Sequence, residues 1–326
     1  MSLRLKFLAG LLALLVHGAA GAQAFPSQPV NIITPVGAGG GTDIMSRLLA
    51  NKLTERWGQA VIVQNRIGGR GAIAGQATAR SKPDGYTIMI AAAGNITISP
   101  YLGDVGFDPD KDLTAVSVLS SAPYVLLINP KVVAAGSIRE FIDLARRNPG
   151  KYTWGSSTFS SADHLAGELF QMMTNTQLLH VPYKTGANAL VDLVAERVSL
   201  GFLTIPTTLP YIKSGQLKAL GVSDRNRSNL LPDVPTIAEA GVPGYEILTW
   251  YGAWAPGGTP RAIVEKISAD MRSVIMQDET RQKIVGMGFD PSASAPVDAT
   301  RFIKDEAARF AKVISATGLR EKDKGN

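Results

Sequence analysis

Strand and helix patterns alternate along almost the whole chain, and that order limits the fold more than any single motif does. Val30 to Thr34 reads as a strand, and Ile44, Met45, Leu48, Leu49, Leu53 and Trp57 then recur at helical spacing. Val61-Ile62-Val63 is the next strand. Gly68-Gly69-Arg70-Gly71 turns into a small-residue helix through Ala79, and the turn Pro83-Asp84-Gly85 feeds a strand from Tyr86 to Ala91. A second set repeats the order. Val125 to Ile128 is a strand, and Ser137-Ile138-Arg139-Glu140 is a capping box opening a helix. Tyr152 to Trp154 is a strand, followed by a helix from Ala162 to Met173. Leu178 to Val181 precedes a helix around Ala187 to Ala195, and strands at Val198 to Leu203 and Leu217 to Val222 complete the set. Leu248 to Ala255 reads as a strand returning to the first set, with helices beginning near Pro260, Glu279 and Val297. Such alternation implies an α/β fold with a largely parallel sheet covered on both faces. Two α/β lobes follow, 25–124 with 251–326 and 125–250, crossing near Tyr124 and Trp250. A ligand cleft is expected between them, outside the carboxyl ends of the strands.

The first 24 residues are expected to be a signal peptide and not part of that fold. Arg4 and Lys6 form a basic start, Phe7 to Val16 is almost wholly apolar, and Ala22-Gln23-Ala24 offers a small-x-small cleavage pattern. The apolar run is too short to span a bilayer. The sequence contains no cysteine, which excludes disulfides, thiolate metal sites, a cysteine nucleophile and a lipidated anchor. A freely diffusing periplasmic monomer is the expectation. The formal charge of +6 is dispersed, with no basic stripe interleaved with aromatics, so no nucleic-acid partner is expected.

Two turns have the composition of anion sites. Thr34-Pro35-Val36-Gly37-Ala38-Gly39-Gly40-Gly41-Thr42-Asp43 joins the first strand to the first helix. Unpaired backbone N–H groups in such a turn sit at the positive end of a helix dipole, where a carboxylate or phosphate is stabilised. Gly40 is expected to need close approach and positive φ. The same run also fits an ordinary tight turn, in which Thr42 and Asp43 only cap the helix. It matches neither the dinucleotide fingerprint nor a Walker loop, because no lysine follows the glycines. Ser156-Ser157-Thr158-Phe159-Ser160-Ser161 is the second turn. Its hydroxyls and N–H groups would face the first turn across a cleft, with Ser160 or Ser161 as a helix cap. Phe159 either packs beneath the loop or lines the pocket.

Catalytic chemistry has little material to work with. Beyond the leader the histidines are His164 and His180, and no G-x-S-x-G elbow or H-E-x-x-H pattern occurs. His164 would either reach a ligand or satisfy a local backbone group. No enzyme activity, cofactor or metal is expected. The candidate ligand-binding set is Ala38, Gly39, Gly40, Gly41, Thr42, Asp43, Asn95, Ser157, Thr158, Phe159, Ser160, Ser161, His164 and Thr204.

Six motifs occur in order: Asn65-Arg66 with its following glycines, Pro83-Asp84-Gly85-Tyr86-Thr87, His164 to Phe170, His180-Val181-Pro182-Tyr183-Lys184, Leu231 to Thr236 with Ala238 to Gly241, and Ala255 to Pro260. Together they resemble the Bug family, the periplasmic solute receptors of tripartite tricarboxylate transporters. The resemblance implies a type II periplasmic-binding-protein fold that closes on a small organic carboxylate, and membrane permease subunits as partners. It maps the family's two grip loops onto Ala38 to Asp43 and Ser156 to Ser161. Three departures touch the pocket. Ala38 stands where the family usually has proline, Thr158-Phe159 where a glycine is usual, and Leu203 where an acid is common. They point to a carboxylate without an α-amino group. The competing readings are a sensory receptor using the same cleft and, less favoured, a secreted α/β enzyme acting on a similar acid.

Overall fold

The structure is a computed structural model that describes residues 25–157 and 161–319. The first half-sheet is built from β1 (Val30–Thr34), β2 (Val61–Asn65) and β3 (Thr87–Ala92), with β1 parallel to both neighbours. Helix α1 (Gly41–Trp57) links β1 to β2 and ends at Gly58, whose left-handed φ of 64° directs its N–H back to the Thr54 carbonyl. A 3₁₀ turn (Gly69–Gly71) and α2 (Ala72–Ala79) lead to β3. A π-turn (Gly94–Ile98) and the single-turn helix α3 (Ser99–Leu102) follow it.

The largest difference from the sequence reading is β4. It runs for 16 residues, Leu113–Ile128, where only its last four are legible as a strand. Its first part pairs antiparallel with β9 (Leu248–Pro256) from Leu113↔Pro256 to Pro123↔Leu248, through two register shifts. From Tyr124 onward it changes sheets, pairing antiparallel with β7 (Leu200–Thr204) and β8 (Lys218–Val222). Strand β9 also pairs antiparallel with β3, and the short β10 (Asp290–Pro291) with β4. The sheet is therefore mixed, and the expectation of a largely parallel one is corrected. Parallel order survives at β2-β1-β3 and at β7-β5-β6, where β5 is Thr153–Ser156 and β6 Leu179–Pro182. Ile247 still donates to the Ser223 carbonyl, so the return crossing lies at Ile247–Leu248 and not at Trp250.

The helices of the second sheet are α4 (Ile138–Arg147), α5 (Ala162–Thr174), α6 (Gly186–Val194) and α7 (Ile205–Lys213). Ser137 caps α4, accepting from the Glu140 N–H, while the Glu140 carboxylate accepts from the Gly136 N–H at 2.6 Å, so the reciprocal half of the expected capping box falls one residue earlier. Helices α8 (Arg261–Ile275), α9 (Asp278–Gly286) and α10 (Pro296–Thr317) complete the described chain. Alternation along β4 divides the core. Val116, Leu119 and Ala122 join the layer of Leu49, Leu53, Ile267 and Met271, whereas Val125 and Leu127 join Leu190, Leu193 and Ile205. Leu126 and Ile128 face the opposite way, into a core holding Phe141, Trp154, Phe170, Trp250 and Phe310. That third core runs beneath both sheets without a break. No helix among the described residues is long and apolar enough to cross a membrane.

Candidate functional site

Loop 37–41 is held from below by the helix it introduces. Asp43, almost fully buried in the first turn of α1, accepts from the Gly39 N–H at 2.9 Å and from Asn65 Nδ2 at 2.7 Å. Arg47 Nε, one turn on, reaches the same carboxylate at 3.0 Å. Burial alone would raise the Asp43 carboxyl, but the bonds from Arg47, Asn65 and Gly39 hold it below its ordinary value. Asp43 thus braces the loop and is turned away from the cleft, which corrects its place among the ligand contacts. Gly40 is the N-cap, with φ −70°, and offers no side chain to the helix N–H groups. The positive φ expected at Gly40 is found at Gly39, φ 84°. The constraint of close approach falls instead on Gly41, where an added Cβ would lie 2.2 Å from the Tyr251 hydroxyl. No side chain caps α1, so the N–H groups of Gly41 and Thr42 are presented to the space in front of them.

That space is a cavity of about 700 Å³. Four helices begin at its wall: α1 at Gly41-Thr42, α5 at Ala162-Asp163, α6 at Gly186-Ala187 and α7 beside Thr204 and Thr207. Helix N-termini carry partial positive charge, so four of them at one wall make the cavity favourable to anions. Its charged lining residues are Arg70 and Asp163, while Val36, Ile67, Leu203, Met287 and Phe289 supply apolar walls. Tyr124 and Tyr251 close the base between them. Tyr251 bonds Thr42 and stacks on Phe289 at 4.4 Å, and burial pushes its phenol up to about 12. Burial likewise raises Tyr124, which is bonded to Thr249.

The second loop repeats the bracing of the first. Asp163 accepts from Ser157 twice, from the N–H at 2.6 Å and the hydroxyl at 2.8 Å, and also from Ser161. Ser161 is the cap of α5, accepting from the His164 N–H, so that of the two serines considered it fills this role. Thr158, Phe159 and Ser160 lie outside the described residues.

The structure thus brings Gly41, Thr42, Asn95, Ser157, Ser161 and Thr204 to one cavity. Ala38, Gly39 and Gly40 are not among the residues that line it. His164 is fully buried, stacked on Trp154 at 5.6 Å and 4.3 Å from His180, so its assignment as a ligand contact is corrected. Asn95 works through backbone: it accepts from the Ala92 N–H and donates to the Arg70 carbonyl at 3.0 Å, fixing the turn that presents Gly71. Sequence reasoning missed Arg70, Asp163, Tyr124, Tyr251 and the start of α6. The glycines flanking Arg70 were the available signal for the first; the two tyrosines lie inside strands and carried none.

Residues 45–319 match the family described as the tripartite tricarboxylate transporter family receptor. The chain belongs to this receptor family. The receptor is 33% identical to the protein BugT of Bordetella pertussis over 306 residues, 92% of this chain and 93% of that one. Among solved structures it resembles the Rhodopseudomonas palustris protein Rpa4515 with adipate, at 35% identity and a TM-score of 0.79. That match covers 90% of the receptor and 98% of the neighbour. MatC from the same organism, with bound malate, is 28% identical with a TM-score of 0.77, over 89% of the receptor and all of its own chain. The receptor therefore has the periplasmic-binding-protein fold.

Proposed function

We propose that this receptor binds a small organic carboxylate lacking an α-amino group and delivers it to the permease subunits of a tripartite transporter. Residues 1–24 act as a cleaved signal, leaving a monomeric binding protein in the periplasm that performs no chemistry on its ligand. The two lobes, which meet where β4 passes from β9 to β7 and β8 near Tyr124 and where β9 begins at Leu248, close on the ligand. The observation that carries this reading is the uncapped start of α1, facing a cavity at which three further helices also begin. One carboxylate rests on the N–H groups of Gly41 and Thr42, with Thr204, Ser157 and Ser161 facing it from the other loops. Leu203 lines the cavity where an acidic side chain would suit a ligand ammonium, and it offers that group no partner. Adipate and malate, held by the two neighbours, are dicarboxylates without an amine.

A thermal-shift panel of mono-, di- and tricarboxylates beside aspartate and glutamate tests the proposal. A ligand at about 100 times its Kd stabilises the native state by about 2.7 kcal/mol, a shift of several degrees. Stabilisation by amine-free acids and not by the amino acids is expected. Stabilisation by glutamate alone, or by no acid, overturns it.

A further inference from the structure

The two bracing aspartates sit in unequal electrostatic surroundings. Asp43 has the Arg47 guanidinium at 3.0 Å and lies outside the cavity wall. Asp163 lines the cavity, is 4% exposed, and is held by Ser157 and Ser161, none of which carries a charge. From β4 it faces the Tyr124 phenol, whose neighbours on β9 are Thr249 and Tyr251. The other titratable groups on α5 and β6 are His164, Glu168 and His180, which pack on one another. Arg70 also lines the cavity, with its guanidinium close to Gly103. Burial already pushes the Asp163 carboxyl above its ordinary value, against the pull of its serine bonds. A ligand carboxylate brought into the same low-dielectric cavity adds a second negative charge. Two carboxylates sharing one site do not both stay ionised.

We propose that Asp163 is a ligand-binding residue that takes up one proton when the cleft fills and meets the ligand carboxylate as a neutral acid. The proton enters from solvent onto Oδ1, the oxygen paired with the Ser157 hydroxyl, while Oδ2 keeps the Ser157 N–H. Oδ1–H then donates to the ligand, an O–H···O⁻ bond of the strong, charge-assisted kind. The Ser157 hydroxyl remains beside both and can donate to either. Binding in this form draws a proton with each ligand, so affinity rises as pH falls. This inference rests on the carboxylate reading of the cleft.

The test is isothermal calorimetry on the mature protein with adipate, malate, aspartate and glutamate, in two buffers of different ionisation enthalpy. For whichever acid binds tightest, net uptake of up to one proton per ligand is expected, with affinity falling as pH rises above the ordinary carboxylate range, by at most about tenfold per pH unit. Asp163→Asn preserves the shape and the Ser157 contacts. It should bind the same acid with no proton uptake and a flat pH profile. A bound acid with no proton uptake overturns the inference and leaves the carboxylate reading intact. Uptake that persists in Asp163→Asn assigns the proton to another group, and overturns it as well. Failure of every acid to bind overturns the carboxylate reading and this inference with it. Should Asp163→Asn not fold, the wild-type proton count decides alone.

Discussion

Gly41 is where a single atom separates a working cleft from a blocked one. A Cβ there would stand 2.2 Å from the Tyr251 hydroxyl but 3.4 Å from the ring carbon that carries it. Gly41→Ala should therefore displace either the loop or the phenol, at a cost of ~1–3 kcal/mol, and weaken ligand binding about tenfold or more. Removing the hydroxyl removes the clash. The double variant Gly41→Ala with Tyr251→Phe should recover most of the affinity in calorimetry, whereas a general packing defect would make the double variant worse. Leu203 supports a second prediction. Leu203→Asp places a carboxylate in the cavity wall, so affinity for adipate should fall at least about tenfold while glutamate gains, since an ammonium then finds a partner. Unchanged preference between the two acids would remove Leu203 from specificity. The contrast between Asp43 and Asp163 shows what a sequence can and cannot reveal at this scale. Both read as first-turn acids beside a helix start, the ordinary place for aspartate. Only the fold shows that one has Arg47 and the other no cation among the described residues, because that difference depends on which face of the helix meets the cavity.

Helix α1 carries its own electrostatic dependence, separate from that of α5. The folded state holds the Asp43 carboxyl below its ordinary value, so the ionised form supports the native loop. Its contribution is in place above about pH 4 and is lost as pH falls through the folded-state value. Asp43→Asn should thus lower Tm at pH 7 by several degrees, from the loss of ~1–2 kcal/mol in hydrogen bonds to a charged group. The Arg47 pair adds little, since that arginine is half-exposed. Near pH 3 the gap between variant and parent should narrow; a constant gap across this range would mean that Asp43 acts only through its shape. Elements of this kind, with apolar periodicity and a glycine stop at Gly58, were legible in sequence. Strand β4 was not, apart from Val125 to Ile128. Its first twelve residues interleave Thr114, Ser117, Ser120 and Ser121 with apolar residues through two register shifts. These shifts break the period-2 pattern that identifies a strand. The parallel order expected from alternation fails for the same reason, because β4 and β9 are the antiparallel pair that the reading lacked.

Those two strands also determine how the whole molecule can move. Between Pro123 and Tyr124, β4 leaves its pairing with β9 for β7 and β8, and β9 enters that pairing at Leu248 directly from Ile247. Both crossings therefore lie side by side, and few dihedrals need change for the two sheets to rotate about them. Each sheet keeps an apolar layer of its own, Leu49 with Ile267 in one and Leu190 with Ile205 in the other, so each can turn as a near-rigid body. The shared core limits that rotation. Trp250, fully buried just past the crossing, donates to the Glu306 carboxylate of α10, and Arg309 on the same helix reaches Glu246 at 3.2 Å. Helix α10 thus ties the crossing to the segment that precedes β9, and the proposed closure would pivot around this point. Small-angle scattering with and without saturating ligand measures the result. A compact chain of about 300 residues has a radius of gyration of roughly 19 Å, and the liganded receptor should approach it. The unliganded receptor should be larger, with a longer maximum dimension. Superimposable curves at saturation would show that the cleft binds without closing, and would make the paired crossings structural supports and not hinges.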